Sequence, residues 1–168
     1  LHCSSAASDV YKRQDGDVSL EIIGQTPNLK YLKELNNLIS SSKYSERITM
    51  TPFIEAEQLI SKYASANLFI LPSKSEGLGR VIIEAQATAC PVLVSSNTGM
   101  VDLIIENETG YIFENNNKND LSNKIQYIMN NYESALQTGL NSKNFIKENQ
   151  SVANFEFGYK KLIDLVSI

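Results

Sequence analysis

Tryptophan is absent, and histidine occurs once, at His2. No Asp/His/Cys group has metal-ligand spacing, so no metal site is expected. Two cysteines, Cys3 and Cys90, are too few for a disulfide framework and fit a reducing compartment. No apolar run approaches the ~20 residues that would span a bilayer. The three arginines, Arg13, Arg47 and Arg80, are scattered and the net charge is −4. That leaves no basic stripe for nucleic acid to follow. The triplet Asn107-Glu108-Thr109 has glycosylation spacing, but without a secretory signal it reads as coincidence. What remains is about one domain's worth of chain with an ordinary apolar share of 42%.

Residues 1 to 14, LHCSSAASDVYKRQ, have no helical or strand periodicity and no signal-peptide pattern. They resemble translated adapter sequence and are expected to be a non-native, disordered leader. The domain is then 15 to 168. Val18 to Ile23 reads as a first strand. Pro27 opens a helix with Leu29, Leu32, Leu35, Leu38 and Ile39 at helical spacing. Arg47 to Met50 is a second strand. Glu55 to Ser65 forms a short helix with Leu59, Ile60 and Tyr63 as its buried side. Val101 to Ile105 is a single helical turn, and Tyr111 to Phe113 a short strand. Glu114 to Asp120 is a polar loop with capping residues. Helices fill 118 to 168: one marked by Leu121, Ile125, Ile128 and Met129, a second over Tyr132 to Asn149, and an amphipathic terminal one with Phe155, Tyr159, Leu162, Ile163 and Val166.

Between these lies LPSKSEGLGRVIIEAQATACPVLVS, residues 71 to 95. The apolar runs Leu68 to Leu71 and Pro91 to Val94 read as buried strands. RVIIEAQATA between them is rich in helix formers, so the unit is a βαβ whose turn opens at a strand's carboxyl end. Gly77 and Gly79 let that backbone approach a ligand closely and take positive φ if needed. A helix starting near Gly79-Arg80 leaves its first N–H groups as an anion site, reinforced by the dipole. Glu76 sits just outside the helix start and can accept hydrogen bonds from sugar hydroxyls. Glu84 lies about one turn inside, where its two oxygens suit a cis-diol such as a ribose. Plain helix-start electrostatics also favours acidic residues here, and the pair alone does not decide between the two.

PSKSEGLGRVIIEAQATACPVLVS resembles the E-x7-E signature of the large retaining glycosyltransferase family 4, which has the two-domain GT-B architecture. The similarity continues through Val18 to Gly24, Arg47 to Ile54, Asn97 to Asp102, and Glu108 to Phe113. Five motifs in the right order are far more specific than one. The resemblance implies an α/β fold: a Rossmann-like parallel sheet with helices on both faces, the C-terminal half of a GT-B enzyme.

It also implies roles. Glu76 would lie against donor-sugar hydroxyls as the catalytic carboxylate. The backbone of Gly77, Leu78 and Gly79 would line the sugar pocket, and the Arg80 amide would help hold the diphosphate. Glu84 would bind the ribose, Phe53 and Ile54 would sit beside the base, and Thr98 and Gly99 would close the cleft near the phosphates. For Phe53 a core position is the competing expectation, and for the Arg80 side chain a surface ion pair. The implied reaction moves a sugar, of hexosyltransferase type, from a nucleotide diphosphate sugar to an acceptor hydroxyl with retention. No cofactor or metal is implied, since helix-end amides and basic side chains neutralise the diphosphate. The acceptor, a glycan, lipid or small molecule, would be held by an N-terminal domain outside this chain. The resemblance places such an enzyme in the cytoplasm, with peripheral contact at the inner membrane face a further implication, in polysaccharide or glycolipid synthesis.

The sequence departs from the family pattern in several places. The strand and loop that supply an Arg and a Lys to the diphosphate would lie upstream of Asp15, where Lys12 and Arg13 are not accepted as substitutes. Asp102 stands for a Glu, and Ala89 for a Gly. A truncated donor-binding half, inactive as it stands, is therefore expected. Two other readings fit the same stretch: a GT-B-like nucleotide-sugar epimerase fragment and a non-catalytic Rossmann-like nucleotide-binding module. A dinucleotide binder of the latter kind needs G-x-G-x-x-G after its first strand, whereas Gly24-Gln25-Thr26-Pro27 follows.

Overall fold

Strands that are apolar at consecutive positions must be covered on both faces, and the central strands of this protein are. The computed structural model describes residues 18–24, 28–74, 77 and 79–149. Within them, β1 (Leu20–Ile23), α1 (Leu29–Ser41), β2 (Ile48–Thr51), α2 (Ala56–Ser65), β3 (Phe69–Leu71), α3 (Arg80–Ala87), β4 (Val92–Ser95), β5 (Tyr111–Phe113), α4 (Lys118–Asn130) and α5 (Tyr132–Asn149) follow in order. Single 3-10 turns stand at Ser45–Arg47 and Val101–Leu103. All strand pairs are parallel. β1 pairs with β2, while β4 lies between β3 and β5, with Leu71 opposite Val94 and Leu93 opposite Tyr111.

The three-stranded sheet carries helices on both faces, as its alternation demands. On one face Leu93, Tyr111 and Phe113 meet Leu121, Ile125 and Ile128 of α4 and Ala135 of α5. On the other, Leu71, Val92 and Val94 meet Tyr63 of α2 and Ile82 and Ala85 of α3. This is the α/β architecture expected from the sequence. Among the described residues its strands form a pair and a triplet rather than one continuous sheet.

Several burial expectations need correcting. On α1 only Leu35 is buried; Leu29 and Leu38 are exposed, and Leu32 and Ile39 half-buried. On α2 Tyr63 is buried and Leu59 half-buried, but Ile60 is exposed. Strand boundaries also shift by one or two residues, as hydrogen-bonded ends commonly do. The leader and the terminal helix with Phe155, Tyr159, Leu162, Ile163 and Val166 lie outside the described residues, as does Pro27.

Parallel pairing places the carboxyl ends of β3, β4 and β5 at one edge of the sheet. The segments after Leu71, Ser95 and Phe113 therefore emerge side by side. At the opposite edge α3 ends in a Schellman turn. Cys90 N–H donates to Ala85 O at 3.2 Å and Ala89 N–H to Gln86 O at 3.0 Å, the paired bonds of that motif. Ala89 holds the left-handed position, with φ 65°.

Candidate functional site

Every helix start must satisfy its first amides somewhere. In α1 the Asn28 side chain accepts from Tyr31 N–H at 3.1 Å. In α2 Glu55 and Gln58 form a capping box. In α4 the Asn117 side chain accepts from Asp120 N–H at 3.0 Å. By contrast α3 begins on Gly79, which has no side chain to offer, and its first turn holds no acidic residue. Among the described residues no side chain caps its positive end. Gly79 is buried with φ −73°, so it does not use the left-handed freedom a glycine allows. Gly77 is exposed, and a Cβ built on it meets nothing within 4 Å. The backbone there faces open space. Glu76 and Leu78 lie outside the described residues.

The turn that leads to α3 is anchored by side chains from the two neighbouring loops. Asn115 Nδ2 donates to the Lys74 carbonyl at 3.2 Å, and Asn97 Nδ2 reaches the same oxygen at 3.5 Å. Ser95 Oγ donates to Asn115 Oδ1 at 3.3 Å, and Ser96 Oγ accepts from Asn115 N–H at 3.1 Å. The three segments leaving β3, β4 and β5 are thus tied together. Asn97 and Asn115 were not picked out as site-building from the sequence. Their bonds to Lys74 span 23 and 41 residues, and only the strand register brings them together.

Glu84 is exposed on α3, one turn in from Arg80. Burial first, and then the nearby charge of Glu84, hold the Tyr63 phenol well above its ordinary 10.0. The Tyr63 ring is 5% exposed and stands edge-on to Phe69, with centroids 5.3 Å apart at 86°. The sequence placed Tyr63 on the buried side of its helix, and it is buried there.

The remaining predicted positions follow β2 and β4 or open α3. Phe53 is 62% exposed, which removes the core reading for this ring, and Ile54 is half-buried. Thr98 is buried with its hydroxyl turned back to the Ser95 carbonyl at 2.8 Å. The Thr98 N–H also donates to the Ser95 carbonyl at 3.1 Å and its carbonyl accepts from Val101 N–H at 3.0 Å, so of the two it is Gly99 that is exposed. The Arg80 residue is exposed. Among the described residues no group of three or more His, Cys, Asp or Glu could hold a metal ion. No helix among them is long and apolar enough to cross a membrane.

A family model, "Glycosyl transferases group 1", matches residues 2–145. The chain belongs to this family. The match begins inside the 1 to 14 stretch. An uncharacterized glycosyltransferase of Methanocaldococcus jannaschii is 31% identical over 137 residues, 80% of this chain and 37% of that protein. The capsular polysaccharide biosynthesis glycosyltransferase CapM of Staphylococcus aureus is 33% identical over 117 residues, 65% of this chain and 30% of CapM. The chain thus spans about a third of these relatives' lengths. In fold it is similar to the C-terminal domain of the group 1 glycosyl transferase LpcC from Francisella tularensis, with TM-score 0.80 and 22% identity over 88% of this chain and 77% of that one. Anabaena HepE, solved with UDP-glucose, gives TM-score 0.84 at 17% identity over 98% of this chain and 45% of that one. The architecture is that of the C-terminal domain of GT-B glycosyltransferases.

Proposed function

We propose that this chain is the donor-binding half of a retaining glycosyltransferase of family 4, moving a hexose from a nucleotide diphosphate sugar to an acceptor hydroxyl. The observation that carries the reading is the bare start of α3. A buried glycine cap, no acidic residue in the first turn and a backbone open to solvent at Gly77 suit a diphosphate. Glu84, exposed one turn further in, suits the ribose diol. Glu76 would take the sugar hydroxyls, with Gly77, Leu78 and Gly79 lining that pocket and the Arg80 amide on the diphosphate. Phe53 and Ile54 would flank the base, and backbone at Thr98 and Gly99 would close the cleft. The leaving group is a stabilised diphosphate, so positioning and fixed dipoles supply much of the rate, without a metal or other cofactor.

Among the described residues β1 and β3 each have one edge without a partner strand, and one further parallel strand between them would merge pair and triplet into a single sheet. In this reading a strand upstream of Leu20 would bring basic side chains to the diphosphate, and a further domain of the full-length enzyme would hold the acceptor. The capsular polysaccharide synthesis in CapM's name and the UDP-glucose bound to HepE support a nucleotide-sugar donor and a glycan or glycolipid acceptor, used in the cytoplasm or at the inner membrane face.

Product analysis by NMR tests the reaction type. The full-length enzyme, given UDP-glucose or GDP-mannose and an acceptor glycan, should yield a glycoside with the donor's anomeric configuration. An inverted product would contradict retention. Conversion of the donor sugar with no acceptor present would favour the epimerase reading.

A further inference from the structure

Backbone that contains glycine costs more to hold in one path than other backbone, because glycine has the most freedom to lose. The turn from β3 to α3 carries two glycines, Gly77 and Gly79. A binding turn that is ordered only when its ligand arrives gives up affinity to that ordering. Here the residue that opens the turn is held from outside, by the loops that follow β4 and β5.

The held group is the Lys74 carbonyl, five residues before the Gly79 cap of α3. Lys74 is exposed, so water could satisfy this oxygen. Instead two side-chain amides reach it: Asn115 Nδ2 at 3.2 Å, and Asn97 Nδ2 at 3.5 Å, the longer and weaker contact. A carbonyl only accepts, so the Asn115 amide turns its NH2 to Lys74 and its Oδ1 to Ser95. The Ser95 hydroxyl must then donate to that Oδ1, at 3.3 Å, which leaves it free to accept from Asn97 N–H at 3.4 Å. Ser95 ends β4 and is fully buried. The neighbouring Ser96 N–H donates to the Phe113 carbonyl at 2.9 Å, and Ser96 Oγ accepts from Asn115 N–H at 3.1 Å. Both the side chain and the backbone of Asn115 are therefore referred to the central strand of the triplet.

We propose that Asn115 is a positioning residue: its amide, oriented by the buried Ser95 hydroxyl, grips the Lys74 carbonyl and sets the path of the β3–α3 turn before a donor arrives. This rests on the reading of that turn as the seat of the donor's diphosphate and sugar. Base and ribose are assigned elsewhere. Glu84 stands on α3, which Ile82 and Ala85 fix in the core without help from Asn115. The grip thus acts on the phosphate and sugar end of the donor and leaves the nucleoside end alone.

Two measurements test this together. In the first, N115A, S95A and the double variant of the 168-residue chain are unfolded with urea in the absence of nucleotide. N115A should lower the folding equilibrium constant about threefold to tenfold more in the parental background than in the S95A background. Equal effects in both backgrounds would mean that Ser95 does not orient the amide, and would overturn the proposal. In the second, the full-length enzyme is titrated with UDP, GDP and ADP and, in competition, with the matching nucleosides. N115A should weaken whichever diphosphate binds about fivefold and leave its nucleoside's affinity unchanged, and adding S95A should weaken the diphosphate little further. Equal weakening of diphosphate and nucleoside, or no weakening of either, would overturn the inference with the donor-site reading intact. Failure of every diphosphate to bind the parental protein would instead overturn the donor-site reading, and this inference with it.

Discussion

Gly139 of α5 lies so close to the Ala89 carbonyl that a methyl group on it would stand 2.2 Å from that oxygen. The contact joins the last long helix to the turn between α3 and β4, and it lets α5 lie directly along α3. Ala135, Thr138, Gly139, Ser142 and Ile146 are the buried residues of α5, and the smallest of them stands where the backbones approach. The Thr138 hydroxyl stands 3.3 Å from that of Tyr111 and fixes α5 to the sheet.

Helix propensity alone favours Gly139→Ala by about 1 kcal/mol. The contact reverses the sign. The backbone oxygen of Ala89 has no flexible way out, so the variant should be less stable by about 2 kcal/mol or more, measured by urea denaturation. A stabilised variant would show that α5 does not approach this turn closely.

Ala89 gives the opposite expectation. At φ 65° it holds a left-handed position that disfavours any residue with a Cβ by about 1–2 kcal/mol. Ala89→Gly should raise stability by about 0.5 to 1 kcal/mol, after allowing for the greater freedom of glycine in the unfolded chain. An unchanged or lowered midpoint would contradict the turn geometry.

Glu106 links three elements. Its Oε2 accepts from the Ile112 amide at 2.7 Å, and its Oε1 meets Lys124 Nζ at 2.6 Å, each side chain about one-third exposed. Glu106→Ala leaves a strand amide without its acceptor and should lower stability by about 1–2 kcal/mol. Lys124→Met removes only a partly screened ion pair and should lower it by less than about 1 kcal/mol. Denaturation of both variants checks the ranking.

Burial pushes the Cys90 thiol up from 9.0 to about 11, against a small lowering by a backbone hydrogen bond at Phe69. Because the folded-state value is the higher one, its contribution is complete below pH 9 and is lost as pH rises toward 11. Between those limits the unfolded chain has already released its proton. Tyr63, also raised, acts in the same direction above pH 10. Stability should therefore decline on the alkaline side, by on the order of 2 kcal/mol through Cys90 alone. Cys90→Ala should flatten part of that decline. The native thiol should also resist a disulfide reagent at pH 8 until the chain unfolds.

Much of this fold was legible in the sequence because its signals are local. The helix over Tyr132–Asn149 and the strand Tyr111–Phe113 were placed at their observed limits, and the start of α3 at Gly79-Arg80 followed from the glycines. Burial was less legible. Periodicity marks Leu29, Leu38 and Ile60 as one-sided, but it does not say whether anything lies over them, and all three are exposed. Ala89 was seen as a mild departure from a glycine, whereas its φ shows a backbone preference overridden by tertiary structure. The links from Asn97 and Asn115 to Lys74 depend on register between distant strands. No local pattern encodes them.

The most direct test of the central claim is calorimetric titration of UDP, GDP and ADP into a chain extended upstream to include the proposed strand. At least one should bind, and Glu84→Ala should weaken it about tenfold or more, through loss of charge-assisted bonds to the diol. Absence of binding by all three, or binding that Glu84→Ala leaves unchanged, would contradict the account.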